Sequence, residues 1–129
     1  MITIEQLKEV KERTESLNRY LDIDGKKMQY EEEQIRTQDP SFWEDAKRAE
    51  AQMKLVKGLE KWIKDYAAVE TLVSELETAF EFFREELVSE EEVDDLYART
   101  LAAVEDLELK NMLRREEDSM DTVLKINSG

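Results

Sequence analysis

The chain has 129 residues, 40% of them charged, a formal net charge of −14, and neither cysteine nor histidine. Disulfides and thiolate metal sites are thereby excluded, and the commonest general base and metal ligand is missing. The carboxylate excess works against non-specific nucleic-acid binding, which needs surplus cations, but leaves a basic protein surface open as a partner.

Only three glycines and one proline interrupt a pattern rich in Glu, Lys, Leu and Ala, as expected for long helices rather than a disordered tail. No stretch approaches the ~20 uninterrupted apolar residues of a membrane span. The start, Met1-Ile-Thr-Ile-Glu, lacks the basic segment and apolar run of a secretory signal, so a cytoplasmic location is expected.

Thr3 and Gln6 have the spacing of a capping box. Ile4, Leu7, Thr14, Leu17 and Leu21 follow at helical spacing, predicting an amphipathic helix over residues 4–21. Asp22 and Asp24 flank a turn, and either is placed to cap a second helix carrying Met28, Tyr30 and Ile35 to about Thr37. Asp39-Pro40-Ser41 ends that helix, because proline restricts its predecessor and suits the first turn of the next helix.

From Phe42 the apolar residues step by three and four through Ala46, Val56, Tyr66, Val73 and Phe83 to Leu87. That spacing predicts one helix of about 45 residues and about 68 Å. Gly58 is its weak point, costing about 1 kcal/mol relative to alanine and marking a kink or a close contact. Ser89 and Glu92 repeat the capping-box spacing, and Val93 through Leu107 supply a matching seam. A short turn near Val88 between two long periodic helices predicts an antiparallel hairpin, with the two shorter helices folded over its open end. Val123-Leu-Lys-Ile126 alternates and reads as a short strand. A strand with no partner for its backbone points to a truncated chain. The expected fold is mainly α: a long antiparallel helical hairpin, two shorter N-terminal helices packed as a small bundle, and a short C-terminal strand stub.

Three blocks together resemble a known family. YLDIDGKK from Tyr20 is similar to its "YLDxDxKK", QDPSFWED from Gln38 to its "xPDFWxD" turn, and Leu109 to Gly129 to the end of its helical domain. The chain resembles the bacterial class-1 peptide chain release factors, of the release factor 2 type, over essentially all 129 residues. One departure is Leu113-Arg-Arg-Glu-Glu117, where many relatives have a small glycine-containing turn. The resemblance implies translation termination at UGA or UAA codons. In that family the stop-codon-reading tripeptide and the "GGQ" motif lie beyond the region matched here, so no catalytic residue carries over. It further implies that residues 1–119 are the helical domain and 120–129 the start of the next. The chain itself is then a non-catalytic ribosome-docking module reaching toward the stalk base of the large subunit. No cofactor, metal, small-molecule substrate or membrane partner is expected, and the isolated domain is expected to be a monomer or weak homodimer. A freestanding coiled-coil adaptor is the alternative that periodicity alone leaves open.

Between residues 75 and 95 stand ten acidic residues against one basic, Arg84. This stretch reads either as a solvated helix turn or as an electrostatic handle for a basic ribosomal protein. Phe82 lies off the core stripe, and with Glu85, Glu86, Glu90 and Glu91 it makes up the candidate ribosome-contact tip. The spacing lacks the glycine and alternating oxygen ligands of a calcium loop. Phe42 and Trp43 are expected to plug the junction of the short helices with the long one. In the basic stretch 47–64, Glu44–Arg48, Glu50–Lys54 and Glu60–Lys64 are expected as i,i+4 pairs.

Overall fold

Four α-helices and one 3₁₀ turn follow along the chain: α1 (Ile4–Leu21), α2 (Ile23–Thr37), the turn Pro40–Glu44, α3 (Ala46–Arg84) and α4 (Glu90–Ser128). The computed structural model describes the backbone of residues 1–128 and the side chains of residues 1–117.

The α1 capping box forms as expected. The Thr3 hydroxyl accepts from the Gln6 N–H at 3.2 Å, while Gln6 accepts from the Thr3 N–H at 2.8 Å. Leu7, Val10, Thr14, Leu17 and Leu21 form its buried face. Only Asp22 separates α1 from α2. Its left-handed backbone (φ 48°) ends one helix, and its carboxylate accepts from Gly25 N–H at 3.3 Å to start the next. Gly25 leaves room for this cap, because a Cβ at that position would meet the Asp22 carboxylate and displace it.

α3 has 39 residues, about 57 Å at 1.5 Å per residue, rather than the longer helix expected. Pro40–Glu44 forms its own 3₁₀ turn, and Asp45 caps α3 by accepting from Arg48 N–H at 3.2 Å. Gly58 marks no close contact. The helix runs through it, and a Cβ there would have no atom within 4 Å.

α3 and α4 are antiparallel, as expected. The Thr100 hydroxyl approaches the Leu72 carbonyl at 3.4 Å, Lys110 pairs with Asp65 at 3.7 Å, and Arg114 lies over Trp62 at 5.7 Å. α1 packs into the groove between them, so the small bundle forms as expected, but α1 lies against the closed half of the hairpin and not over its open end. Lys11 pairs with Glu77 at 3.4 Å, Arg13 with Glu108, and the Ile2 N–H donates to Asp94 at 3.0 Å. α1 therefore begins beside the hairpin turn and runs alongside α4, against the closed half. The reason is burial: Val10, Leu17 and Leu21 find Val73, Val104 and Leu107 only there. A second cluster of Ile2, Leu7, Leu76, Val93 and Leu96 seals the closed end.

α2 continues along the other half of α3. It does not bury the expected stripe: Met28 and Ile35 are 64% and 68% exposed. Ile23 and Glu33 are buried instead, with the Glu33 carboxylate accepting from Gln52 on α3 and from Arg36. A buried carboxylate is tolerable because hydrogen bonds replace its water.

The strand expected over residues 123–126 is absent, since α4 runs to Ser128. A helix closes its backbone hydrogen bonds within its own segment, whereas a lone strand would leave them open. Gly129, which ends the third sequence block, lies outside the described residues.

Candidate functional site

The hairpin tip is built by local hydrogen bonding. Leu87 N–H donates to the Phe82 carbonyl at 2.8 Å and Glu86 N–H to the Phe83 carbonyl at 3.0 Å. This is a Schellman closure, with the left-handed position usually taken by glycine filled by Glu86 at φ 63°. On the far side Ser89 accepts from Glu92 N–H at 3.2 Å and starts α4.

All five candidate tip residues, Phe82, Glu85, Glu86, Glu90 and Glu91, are exposed, and one short turn brings them together. Phe82 retains 43% of its surface and Leu87 retains 66%. An apolar pair thus stands on the acidic tip. Sequence reading missed Leu87, placing it in the buried seam. The signal that could have found it was Ser89, because a helix cap two residues on leaves Leu87 in the turn.

Charge compensation at the tip is small. The terminal amine of Met1 lies 2.6 Å from Glu90 and 3.1 Å from Asp94, and both carboxylates raise its pKa. Arg84, the basic residue of the stretch, turns over the Phe80 ring at 5.1 Å. Among the described residues, Glu85, Glu86 and Glu91 form no ion pair. Such an arrangement attracts a cationic surface and offers it an apolar contact. Among the described residues no acidic group has the geometry of a metal site.

At the other end, Phe42 and Trp43 do not plug a junction. Neither is buried, and Trp43 is 56% exposed. Its indole N–H donates to the Thr37 carbonyl at 3.0 Å, and its ring meets Phe42 edge-on at 5.0 Å. A 3₁₀ turn of five residues is too short to fold both rings under the helices, so the hydrogen bond fixes the indole on the outside. A cleft of about 540 Å³ beside it is lined by Arg36, Asp39, Phe42, Arg48 and Gln52, among others. Of the expected i,i+4 pairs, Glu50–Lys54 forms at 4.0 Å and Glu60–Lys64 at 2.6 Å. Glu44 makes no pair with Arg48, whose backbone N–H is instead held by Asp45.

Where α1 and α2 meet, Lys26 donates to the Leu21 carbonyl, and burial, then Arg114, holds its ammonium below the usual range.

The sequence profile of the PCRF domain matches residues 26–129, which takes in all but the first three residues of α2, the 3₁₀ turn and the hairpin. The chain belongs to the PCRF domain family. Among curated relatives, this PCRF domain is similar to a protein from Tolumonas auensis named peptide chain release factor 2, at 34% identity over 98% of this chain and 35% of that protein. The protein of the same name from Aeromonas hydrophila is 31% identical over 98% of this chain and 35% of its own length. That from Aliivibrio fischeri is 29% identical over 96% and 34%. The chain therefore spans about a third of the length of these relatives, and the PCRF profile leaves out α1 while the relatives include it.

Proposed function

We propose that this PCRF domain is the docking arm of a translation termination factor acting at UGA and UAA codons, and that it contributes position rather than catalysis. What supports the reading is the likeness to release factor 2 proteins across 98% of the chain, together with a tip on which Glu85, Glu86 and Glu91 form no ion pair among the described residues. Residues 1–119 act as the arm, and 120–129 lead into the next, stop-codon-reading domain. The factor works in the cytoplasm, on the ribosome.

In this reading Phe82, Glu85, Glu86, Glu90 and Glu91 meet a basic protein at the stalk base of the large subunit. The long α3–α4 hairpin supplies the reach, and α1 stiffens the half that carries the tip. The carboxylates act at long range and govern mainly the rate of encounter, which salt screens. Phe82 provides short-range contact once the surfaces meet. An adaptor with no part in termination is not favoured, because it would not share three separate sequence blocks with release factors.

The test reverses Glu85, Glu86, Glu90 and Glu91 to lysine in the intact factor. Ribosome association at low salt should slow by about tenfold or more, as expected for losing electrostatic steering, and the difference should shrink as salt rises. An unchanged association rate would refute the electrostatic role of the tip.

A further inference from the structure

Helix α4 is apolar on two sides at once. Val104 and Leu107 turn inward, where Val10 and Leu17 of α1 and Tyr66, Val69 and Val73 of α3 enclose them. Leu109, Met112 and Leu113 turn outward and keep 49%, 50% and 53% of their surface. At about 100° per residue these three fall within an arc of roughly 100°, centred about 160° round the helix from the inward face. A surface helix carries one apolar stripe, and a helix that is apolar on opposite sides belongs between two layers. Single exposed leucines are ordinary on a protein surface, but three large apolar side chains on successive turns form a patch that marks a contact.

Charge at the ends of the patch selects what fits it. On the same side of α4, Glu105 and Asp106 lie one turn before the patch and Glu116 and Glu117 one turn after it, all four exposed. Among the described residues Asp106 has a cation, Lys110 at 3.2 Å, and the other three have none. Two copies of α4 pressed together through the patch would set like charges against each other. Antiparallel, Glu105 meets Glu117 and Asp106 meets Glu116; parallel, each carboxylate meets its own counterpart. The same four carboxylates repel nucleic acid. What fits is a polypeptide with large apolar side chains flanked by basic ones.

If the chain is the arm of a longer factor, as proposed above, such a polypeptide is already attached. The chain spans 35% of the length of its relatives from Aeromonas hydrophila and Tolumonas auensis. The described backbone of α4 ends at Ser128, fifteen residues beyond Leu113 and so about 23 Å along the helix. Roughly seven extended residues retrace that distance. A tethered partner acts at an effective concentration of about millimolar, which a free protein in solution does not match. We propose that the polypeptide following Gly129 in the intact factor folds back onto Leu109, Met112 and Leu113, sets basic residues against the acidic ends of the patch, and so fixes the arm to the body of the factor. This contact rests on the reading above but uses no residue of the tip.

The chain has no cysteine, so Leu113→Cys places one thiol in the patch, and Ile35→Cys, at a site 68% exposed on α2, gives a reference. Both substitutions are made in the 129-residue chain and in the intact factor, and reaction with N-ethylmaleimide is followed at the altered peptide by mass spectrometry. In the 129-residue chain the two sites should react at similar rates. In the intact factor position 113 should react about tenfold or more slowly, as for a site covered roughly nine-tenths of the time, with position 35 unchanged. Adding Glu105→Lys and Glu117→Lys to the intact factor should return the rate at position 113 by about threefold or more, because the basic residues of the occupant are then repelled. Equal rates at position 113 in the two proteins overturn the proposal. Slowing in the 129-residue chain as its concentration rises overturns it in favour of a second copy, and protection indifferent to the charge reversals overturns the basic occupant. No ribosome enters the measurement, so this contact and the docking of the tip fail separately.

Discussion

The two halves of the hairpin are held together in different ways. Around the closed end three helices meet, and Leu76, Val93, Thr100 and Val104 are fully buried. In the open half α2 covers one side of α3, where Glu33, Val56 and Leu59 are buried, while Met28, Ile35, Trp43 and Leu55 remain exposed. The difference teaches where stability resides. The tip can project uncompensated charge because a sealed core lies directly beneath it, and the open half is free to expose aromatic and aliphatic surface because little depends on its burial.

The largest effect expected from this contrast is at Leu76. Leu76→Ala should cost about 2–5 kcal/mol, the range for emptying a sealed core position, whereas Ile35→Ala should stay within about 0.5 kcal/mol. Urea unfolding of both variants checks this, and equal losses would erase the distinction between the halves. Gly25→Ala comes next. By displacing the Asp22 carboxylate it should cost about 1 kcal/mol and loosen α2 before α1, which hydrogen exchange would show as faster opening confined to residues 23–37.

Smaller effects of the opposite sign sharpen the comparison. Glu86→Gly relieves a left-handed non-glycine residue and should stabilise the tip by about 1 kcal/mol, seen as a higher Tm. Gly58→Ala meets open space in mid-helix and should stabilise by roughly 0.5–1 kcal/mol. A loss there would mean that something covers α3 at that point. The subtlest is at Lys26, whose folded-state pKa lies below its ordinary value, first through burial and then through Arg114. The folded protein releases this proton more readily than the unfolded one, so the stability deficit is present below the folded pKa and disappears as pH climbs through the alkaline range. Wild type should therefore gain on Lys26→Met with rising alkaline pH, and a difference independent of pH would exclude the effect.

Much of this architecture could be read from residues close together in the chain. The Thr3–Gln6 box, the Asp39-Pro40 stop, the Ser89 cap and the three-and-four spacing of α3 and α4 each act within a few residues, and each formed. The acidic tip was legible for the same reason, because a count of charges between two caps needs no tertiary knowledge. Val10 was passed over although it is 1% exposed, since Lys11 and Glu9 beside it obscured the stripe. Trp43 was misplaced because aromatic size argues for burial, whereas the turn leaves the ring exposed with its indole N–H on the Thr37 carbonyl.

Sequence by itself therefore determined the helices, their caps, the antiparallel hairpin and the sign of charge at its tip, all set by hydrogen bonds and periodicities spanning a few residues. Tertiary structure alone decided which half of the hairpin α1 would fill and which face of α2 would turn inward. Those outcomes depend on matching apolar surfaces some sixty to a hundred positions apart, such as Leu17 with Val73 and Val104, and on which backbone groups find partners. Neither can be read from periodicity along one segment, because the same stripe fits more than one groove until the competing burials are compared.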